Sequence, residues 1–369
     1  MNTRRVLFTA STGSHIRSFH LPYLEQLRRL GWQVDVACGA PAGEITGADR
    51  VIELPFEKKM QSPKNFAAAK ILRREIKNGD YSLILTHTSL AAFFTRLAVM
   101  GLRQRPTLVN MVHGYLFDDE TGWLKKRVLT LAERLTRRQT DLLLTMNAWD
   151  DAFARKNALG GAVHKIPGIG VDFSGLDTAS DANELRLSLG LSANDFVLIY
   201  AAEFSDRKNQ KMLIEAMPEL AERFKLLLPG RGERWEGCKA LSKELGVEER
   251  VIMPGFVSDM PNWYRVSDAA VSASRSEGLP FNVMEALHLS LPVVASRVKG
   301  HTDLIEEGKN GLLYSFGDKR GYLDAVQRLS EDDTLLKSLS AAARDSVSDF
   351  GLSRVLPIVM EEYLRAAER

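Results

Sequence analysis

Apolar positions in the first half of the chain come in short blocks. Residues 5–10, 33–37, 82–86, 107–112 and 141–146 are rich in Val, Ile, Leu and Thr and are bounded by polar residues, Gly or Pro. Such blocks read as buried strands. Between the first two, Leu21, Leu24, Leu27 and Leu30 recur at three-residue steps and Gly31 follows, which predicts a helix ended by glycine. Strand, helix, strand predicts a parallel sheet. The second half repeats the plan, with strands expected at 195–202, 224–229, 250–253, 268–272 and 292–296. Helical patterns separate them, for instance at 209–223, and the segment 352–369 puts Val355, Val359 and Tyr363 on one helical face. Gly and Pro cluster at 165–172, which suits a hinge. The expectation is two α/β halves with a ligand in the cleft between them.

Composition narrows the class without changing this picture. The 369 residues are 45% apolar and 26% charged, which excludes a largely disordered or collagenous chain. Cys38 and Cys238 stand too far apart for a disulfide framework or zinc spacing, so a reducing compartment is expected. The opening residues lead into too short an apolar run for a secretory signal. The longest membrane-span candidate, 89–102, carries Arg96, so no span is expected. Charge is unevenly spread. Residues 1–168 hold 25 Lys and Arg against 15 Asp and Glu, whereas residues 169–369 hold 24 against 32. The basic half suits an anionic surface; chance segregation is the other reading.

Five stretches carry candidate chemistry. Residues 274–287 follow a predicted strand, turn at Gly278 and Pro280, and begin a helix pattern near Phe281. A strand–loop–helix start suits phosphate. Glu277 and Glu285 there read either as acceptors for sugar hydroxyls or as ordinary helix-start acids. Arg207 and Lys208 follow the first strand of the second half and fit a diphosphate or a solvated loop. Gly13, just after the first strand, allows close backbone approach, although the three-glycine dinucleotide fingerprint is missing. His113 stands at a strand end before Gly114, placed for a substrate hydroxyl or for the core. Finally, residues 122–138 set Leu124, Val128, Leu131 and Leu135 on one helical face. Trp123 stands at its start, and Lys125, Lys126, Arg127, Arg134, Arg137 and Arg138 surround it. That pattern fits an anionic membrane surface or an ordinary basic outer helix. Seven histidines show no HxxxH spacing, so no metal site is expected, and the basic patch lacks the aromatic interleaving of a nucleic-acid binder.

Together these stretches resemble the retaining glycosyltransferase family 4, of the GT-B type with two Rossmann-like domains. The segment from Glu277 through Gly278, Leu279, Pro280, Phe281 and Asn282 to Glu285 is similar to the family's E-x7-E signature. Residues 291–296 and 308–313 agree with it, and residues 15–24, 112–114 and 166–172 resemble the bacterial branch that builds capsule, exopolysaccharide, O-antigen or glycan precursors on polyprenyl diphosphate. The resemblance implies domains at 1–168 and 169–351, with helix 352–369 crossing back to the first. It implies that Arg207 and Lys208 hold the donor diphosphate and that Glu285 accepts from the ribose. Glu277, Gly278, Leu279, Pro280, Phe281 and Asn282 would hold the sugar and its β-phosphate, and Val257 would lie near the base. His113 would meet the sugar, and Gly13 would let its loop approach the diphosphate.

The implied activity is metal-independent, configuration-retaining hexosyl transfer. The donor would be a nucleotide sugar, taken as UDP-linked with GDP as the competitor. The acceptor would be a lipid-linked saccharide at the inner face of the plasma membrane. No cofactor is expected. A nucleotide-sugar 2-epimerase on the same fold and a non-catalytic transferase partner remain the alternatives.

Overall fold

The computed structural model describes residues 4–178 and 182–368. Met1, Asn2 and Thr3, residues 179–181, and Arg369 of the last helix pattern lie outside the described residues. The chain forms two compact units, one running to Gly170 and joined by Ser353 onward, the other Val171–Leu352.

The first unit is built on seven parallel strands: β1 (Arg5–Ala10), β2 (Gln33–Gly39), β3 (Arg50–Leu54), β4 (Leu83–His87), β5 (Thr107–Val112), β6 (Leu142–Thr145) and β7 (Ala162–Lys165). Their order in the sheet is β3-β2-β1-β4-β5-β6-β7. The second unit has six: β8 (Phe196–Ile199), β9 (Phe224–Pro229), β10 (Val251–Gly255), β11 (Ala269–Ser272), β12 (Val293–Ser296) and β13 (Gly311–Tyr314). They are ordered β10-β9-β8-β11-β12-β13. Both are doubly wound sheets whose strand order reverses beside the first strand, at β1/β4 and at β8/β11. Ligands bind such sheets at the carboxyl ends beside that reversal.

Burial follows from covering both faces of each sheet. Strands β4, β6, β8, β11 and β12 are buried along their whole length, which explains their largely apolar sequences. Three strands were not expected from the sequence: β3, β7 and β13. Each is a sheet edge, where one side lacks a partner strand and charged residues such as Arg50, Glu53 and Lys165 are tolerated. The helix pattern at 209–223 is shorter than expected. It runs Gln210–Ala216 and gives way to a short 3-10 turn, Met217–Glu219, because Pro218 has no N–H to continue the ladder.

The final helix, Leu352–Ala367, packs with the first unit. Tyr363 meets Tyr23 edge-on at 6.1 Å between ring centres, and Glu362 pairs with His164 at 2.9 Å. Tyr23 in turn donates to the carbonyl of Ile169 at 2.8 Å. Among the described residues no helix is long and apolar enough to cross a membrane.

Candidate functional site

In the second unit the reversal brings the ends of β8 and β11 side by side. The chain leaving β8 carries Arg207 and Lys208; the chain leaving β11 carries Ser274 and Glu277. Lys208 donates from Nζ to Glu277 Oε1 at 2.6 Å, and Arg207 donates from Nη1 to Glu277 Oε2 at 2.8 Å. Ser274 donates to Oε1 at 2.5 Å and shares a 2.6 Å hydrogen bond with Tyr200. Glu277 and Lys208 are buried, while the Arg207 side chain is about half exposed. Burial alone would raise the Glu277 carboxyl. Lys208, Arg207 and then His301 overcome that and hold it down to about 2. Glu277 is therefore a fixed anion that positions two cations. A guanidinium has five N–H donors, and Arg207 directs only Nη1 inward, to Glu277 and, at 3.2 Å, to the Ser276 carbonyl. Donors remain for an anionic ligand.

The helix Phe281–His288 starts where the sequence places it, with Pro280 at its N-cap and no side-chain cap. The first turn of any helix presents N–H groups without intrahelical partners. Glu285, one turn in, accepts from the buried Tyr264 hydroxyl at 2.9 Å, and burial raises its carboxyl above the usual range. Val257 is half-buried behind the glycine turn at Gly255.

Two residues of this unit were not anticipated. Gly300 has φ +82°, and a Cβ there would stand 2.8 Å from the Gly278 carbonyl oxygen and 2.9 Å from Glu277 Cβ. Its backbone is thus pressed against the signature loop, and only glycine fits. His301, next in line, is buried with Nδ1 against the Ser296 carbonyl at 2.7 Å.

In the first unit the same topology gathers histidines. His87 ends β4, His113 follows β5, and the unanticipated helix Gly13–Phe19 after β1, capped by Thr12, delivers His15 with His20 behind it. His87 Nδ1 lies 3.3 Å from His113 Nε2, and His15 Nε2 lies 3.3 Å from His20 Nε2. The His20 and His87 ring centres are 3.8 Å apart. Burial lowers His15 to about 4. It holds His20, His87 and His113 well below the usual histidine range, and the charge each would place on its neighbours lowers them further. These are neutral imidazoles, able to exchange hydrogen bonds with a hydroxyl. The sequence expectation of scattered histidines is corrected here. His15 and His20 lack the HxxxH spacing, and only the adjacency of β1, β4 and β5 joins them to the others. Among the described residues one nitrogen each from His15, His20 and His113 lies within 4.8 Å of the others, the one three-ligand grouping a metal could use.

Gly13 sits at that helix start. A Cβ there would meet the Ala42 carbonyl oxygen at 2.4 Å, so its missing side chain is already explained by packing against a neighbouring loop.

The basic amphipathic segment forms the helix Trp123–Thr136 followed by the short turn Arg137–Gln139. Its apolar stripe faces outward: Trp123, Leu124, Val128, Leu131 and Leu135 are between 56% and 73% exposed. Lys125, Arg127, Arg134 and Arg138 are exposed as well, while Lys126 and Arg137 are half-buried. Lys126 pairs with Asp119 at 2.7 Å, and Arg134 and Arg137 both reach Asn157. Glu133 turns inward to a bidentate pair with the fully buried Arg96, at 2.7 and 3.0 Å.

Comparison with known proteins fits both units. The family model described as Glycosyltransferase Family 4 matches residues 23–167, and Glycosyl transferases group 1 matches residues 181–346. EpsD of Bacillus subtilis (strain 168) is 30% identical over 370 residues, spanning 98% of this chain and 96% of its own. This chain belongs to glycosyltransferase family 4. The glycosyltransferase is also 25% identical to the Escherichia coli UDP-Gal:alpha-D-GlcNAc-diphosphoundecaprenol alpha-1,3-galactosyltransferase, over 79% of this chain and 78% of that one. Its fold is that of Anabaena HepE, solved in complex with UDP and glucose, with a TM-score of 0.79, 21% identity and coverage of 97% and 98%. Thermosynechococcus elongatus sucrose-phosphate synthase shares the fold at a TM-score of 0.79 and 20% identity, covering 98% of each chain. Both are GT-B proteins, and so is this one.

Proposed function

We propose that this glycosyltransferase moves a hexose or N-acetylhexosamine from a UDP-sugar to a polyprenyl-diphosphate-linked saccharide, retaining the anomeric configuration and using no metal. The observation that carries the reading is the clamp of Arg207 and Lys208 on buried Glu277 at the start of the signature helix. When the sugar–phosphate bond breaks, negative charge grows on the leaving diphosphate. Preorganised cations stabilise that charge without reorganising at the moment of reaction. Because Glu277 fixes them beforehand, little ordering is left to be done in the transition state.

The remaining roles are those the family resemblance implies. Glu285 accepts from ribose hydroxyls beside Tyr264. Gly278, Leu279, Pro280, Phe281 and Asn282 present the loop and first helical turn to the sugar and β-phosphate, and Val257 lies by the base. Neutral His113, in the first unit, has the chemistry to exchange a hydrogen bond with a sugar hydroxyl. The acceptor oxygen attacks on the face the diphosphate leaves, and its proton passes to a leaving phosphate oxygen. Support for UDP comes from the solved complexes of HepE, and support for the acceptor from the substrate named for the E. coli relative.

The outward stripe of Trp123, Leu124, Val128, Leu131 and Leu135, flanked by Lys125, Lys126, Arg127, Arg134, Arg137 and Arg138, favours peripheral attachment to an anionic membrane. A cell-surface polysaccharide or glycan assembly step at the inner face of the plasma membrane fits that attachment. The test is transfer of labelled sugar from a panel of UDP-sugars to undecaprenyl-diphosphate-linked N-acetylhexosamine in chelator. A labelled lipid product with an α-linkage supports the reading. Transfer that requires added metal, or from GDP-sugars alone, overturns the corresponding part.

A further inference from the structure

The first unit holds a small, mostly apolar pocket lined in part by the segment that follows His113. Met60, Leu90, Leu116, Phe117 and Leu129 line it, and the exposed Lys58 supplies a cation at its rim. Its volume is about 120 Å³. An enclosed cavity of roughly 150 Å³ lined by Leu, Ile and Phe takes benzene, so this pocket, which Ser89 and Tyr115 also line, has room for one branched hydrocarbon unit. The acid that also lines it, Glu133, is held by both oxygens to Arg96, so its charge is already matched.

The pocket and the outward apolar stripe share one helix. Leu129 and Ala132 of Trp123–Thr136 face the pocket, while Val128, Leu131 and Leu135 face outward. A helix lying in a membrane interface buries its apolar face at the headgroup and acyl boundary. A pocket on the neighbouring face then opens at the depth where a lipid's first carbons leave its phosphate. A rim cation beside a mostly apolar lining is complementary to an anionic head on a branched chain.

We infer that this pocket receives the first isoprene unit of a polyprenyl lipid, with Lys58 beside the lipid's diphosphate. The inference rests on the lipid-linked acceptor proposed above, and adds where the chain is gripped.

The probe is geranyl diphosphate, compared with inorganic diphosphate by calorimetry on the full chain with UDP saturating. The expected result is binding of geranyl diphosphate about tenfold tighter or more, since each buried methylene contributes severalfold. Ala132→Phe, which fills the pocket, removes that difference. Because this variant can perturb the helix, a second measurement uses the unaltered protein. Geranyl diphosphate carrying a small diazirine on its first isoprene unit should label peptides containing residues 58–60, 115–117 or 129–133. Equal binding of the two diphosphates, an undiminished difference in Ala132→Phe, or label confined to other peptides would each overturn the inference. Its failure is separable from that of the acceptor reading. Sugar transfer to lipid diphosphate with label elsewhere removes the pocket alone. Labelling of the pocket without such transfer removes the acceptor reading and leaves the pocket as a prenyl site.

Discussion

Lys208 and Glu277 lie 69 positions apart in sequence and meet at 2.6 Å in the second unit. Neither residue type is unusual after a strand. What makes them a site is the adjacency of β8 and β11, which sets the two loops against each other at the point where strand order reverses.

Lys208→Ala and Arg207→Ala test the clamp. Removing one preorganised charge-stabilising donor typically costs about 10²–10³ in kcat. Both variants should lose turnover of that order in a steady-state transfer assay, with a smaller change in donor KM. Near-normal kcat in both would remove the diphosphate role.

Glu285→Ala separates binding from chemistry. Hydrogen bonds to a charged group contribute about 1.5–3 kcal/mol, so UDP affinity by calorimetry should fall by about tenfold or more while kcat at saturating donor changes little. Unaltered UDP affinity would end the ribose assignment.

The buried histidines make stability depend on pH with a defined sign. His15 is lowered to about 4, and His20, His87 and His113 also lie below their unfolded values near 6.5. Between those limits the unfolded chain binds more protons than the folded one, so stability rises with pH. It is complete above about pH 6.5 and falls as pH drops toward 4. Melting temperature followed from pH 7.5 to 4.5 should fall less steeply in His87→Gln than in the unaltered protein. Parallel curves would show that the cluster does not titrate in this way.

Arg96 and Glu133 anchor the helix Trp123–Thr136 to the helix Ser89–Val99. Breaking a buried pair by removing one partner costs about 3–5 kcal/mol, because the other charge is stranded. Glu133→Ala should lower the denaturation midpoint accordingly. The double change Arg96→Met with Glu133→Leu should recover much of the loss, and equal destabilisation by single and double variants would contradict this account.

Flotation with vesicles tests the outward face. Each basic residue near an anionic surface contributes roughly 1 kcal/mol, so replacing Lys125 and Arg127 with Ala should release protein from anionic vesicles. Trp123→Ser should weaken binding through lost apolar contact. Equal recovery with neutral and anionic vesicles would exclude the electrostatic part.

The parallel sheets were legible because strands such as Leu142–Thr145 and Phe196–Ile199 are buried on both faces and so are almost wholly apolar. Edge strands β3 and β7 were not, since Arg50, Glu53 and Lys165 answer to solvent on one side, nor was β13, whose four residues make too short a run. Within the site, the Glu277–Glu285 spacing and the helix start at Phe281 were readable because they are local. The ties from Glu277 to Lys208 and from Gly300 to Gly278, and the meeting of His87 with His113, were not. Each joins loops that are neighbours only through strand order, and sequence spacing holds no trace of that.

The central claim is that the second unit holds a UDP-linked donor through its diphosphate without metal. Thermal shift with UDP, GDP, ADP and TDP in chelator tests it most directly. A ligand at 100 times its Kd stabilises by about 2.7 kcal/mol, a readily seen shift. The account predicts a rise with UDP that is smaller in Lys208→Ala. Stabilisation by GDP alone, or by none of the four, would contradict it.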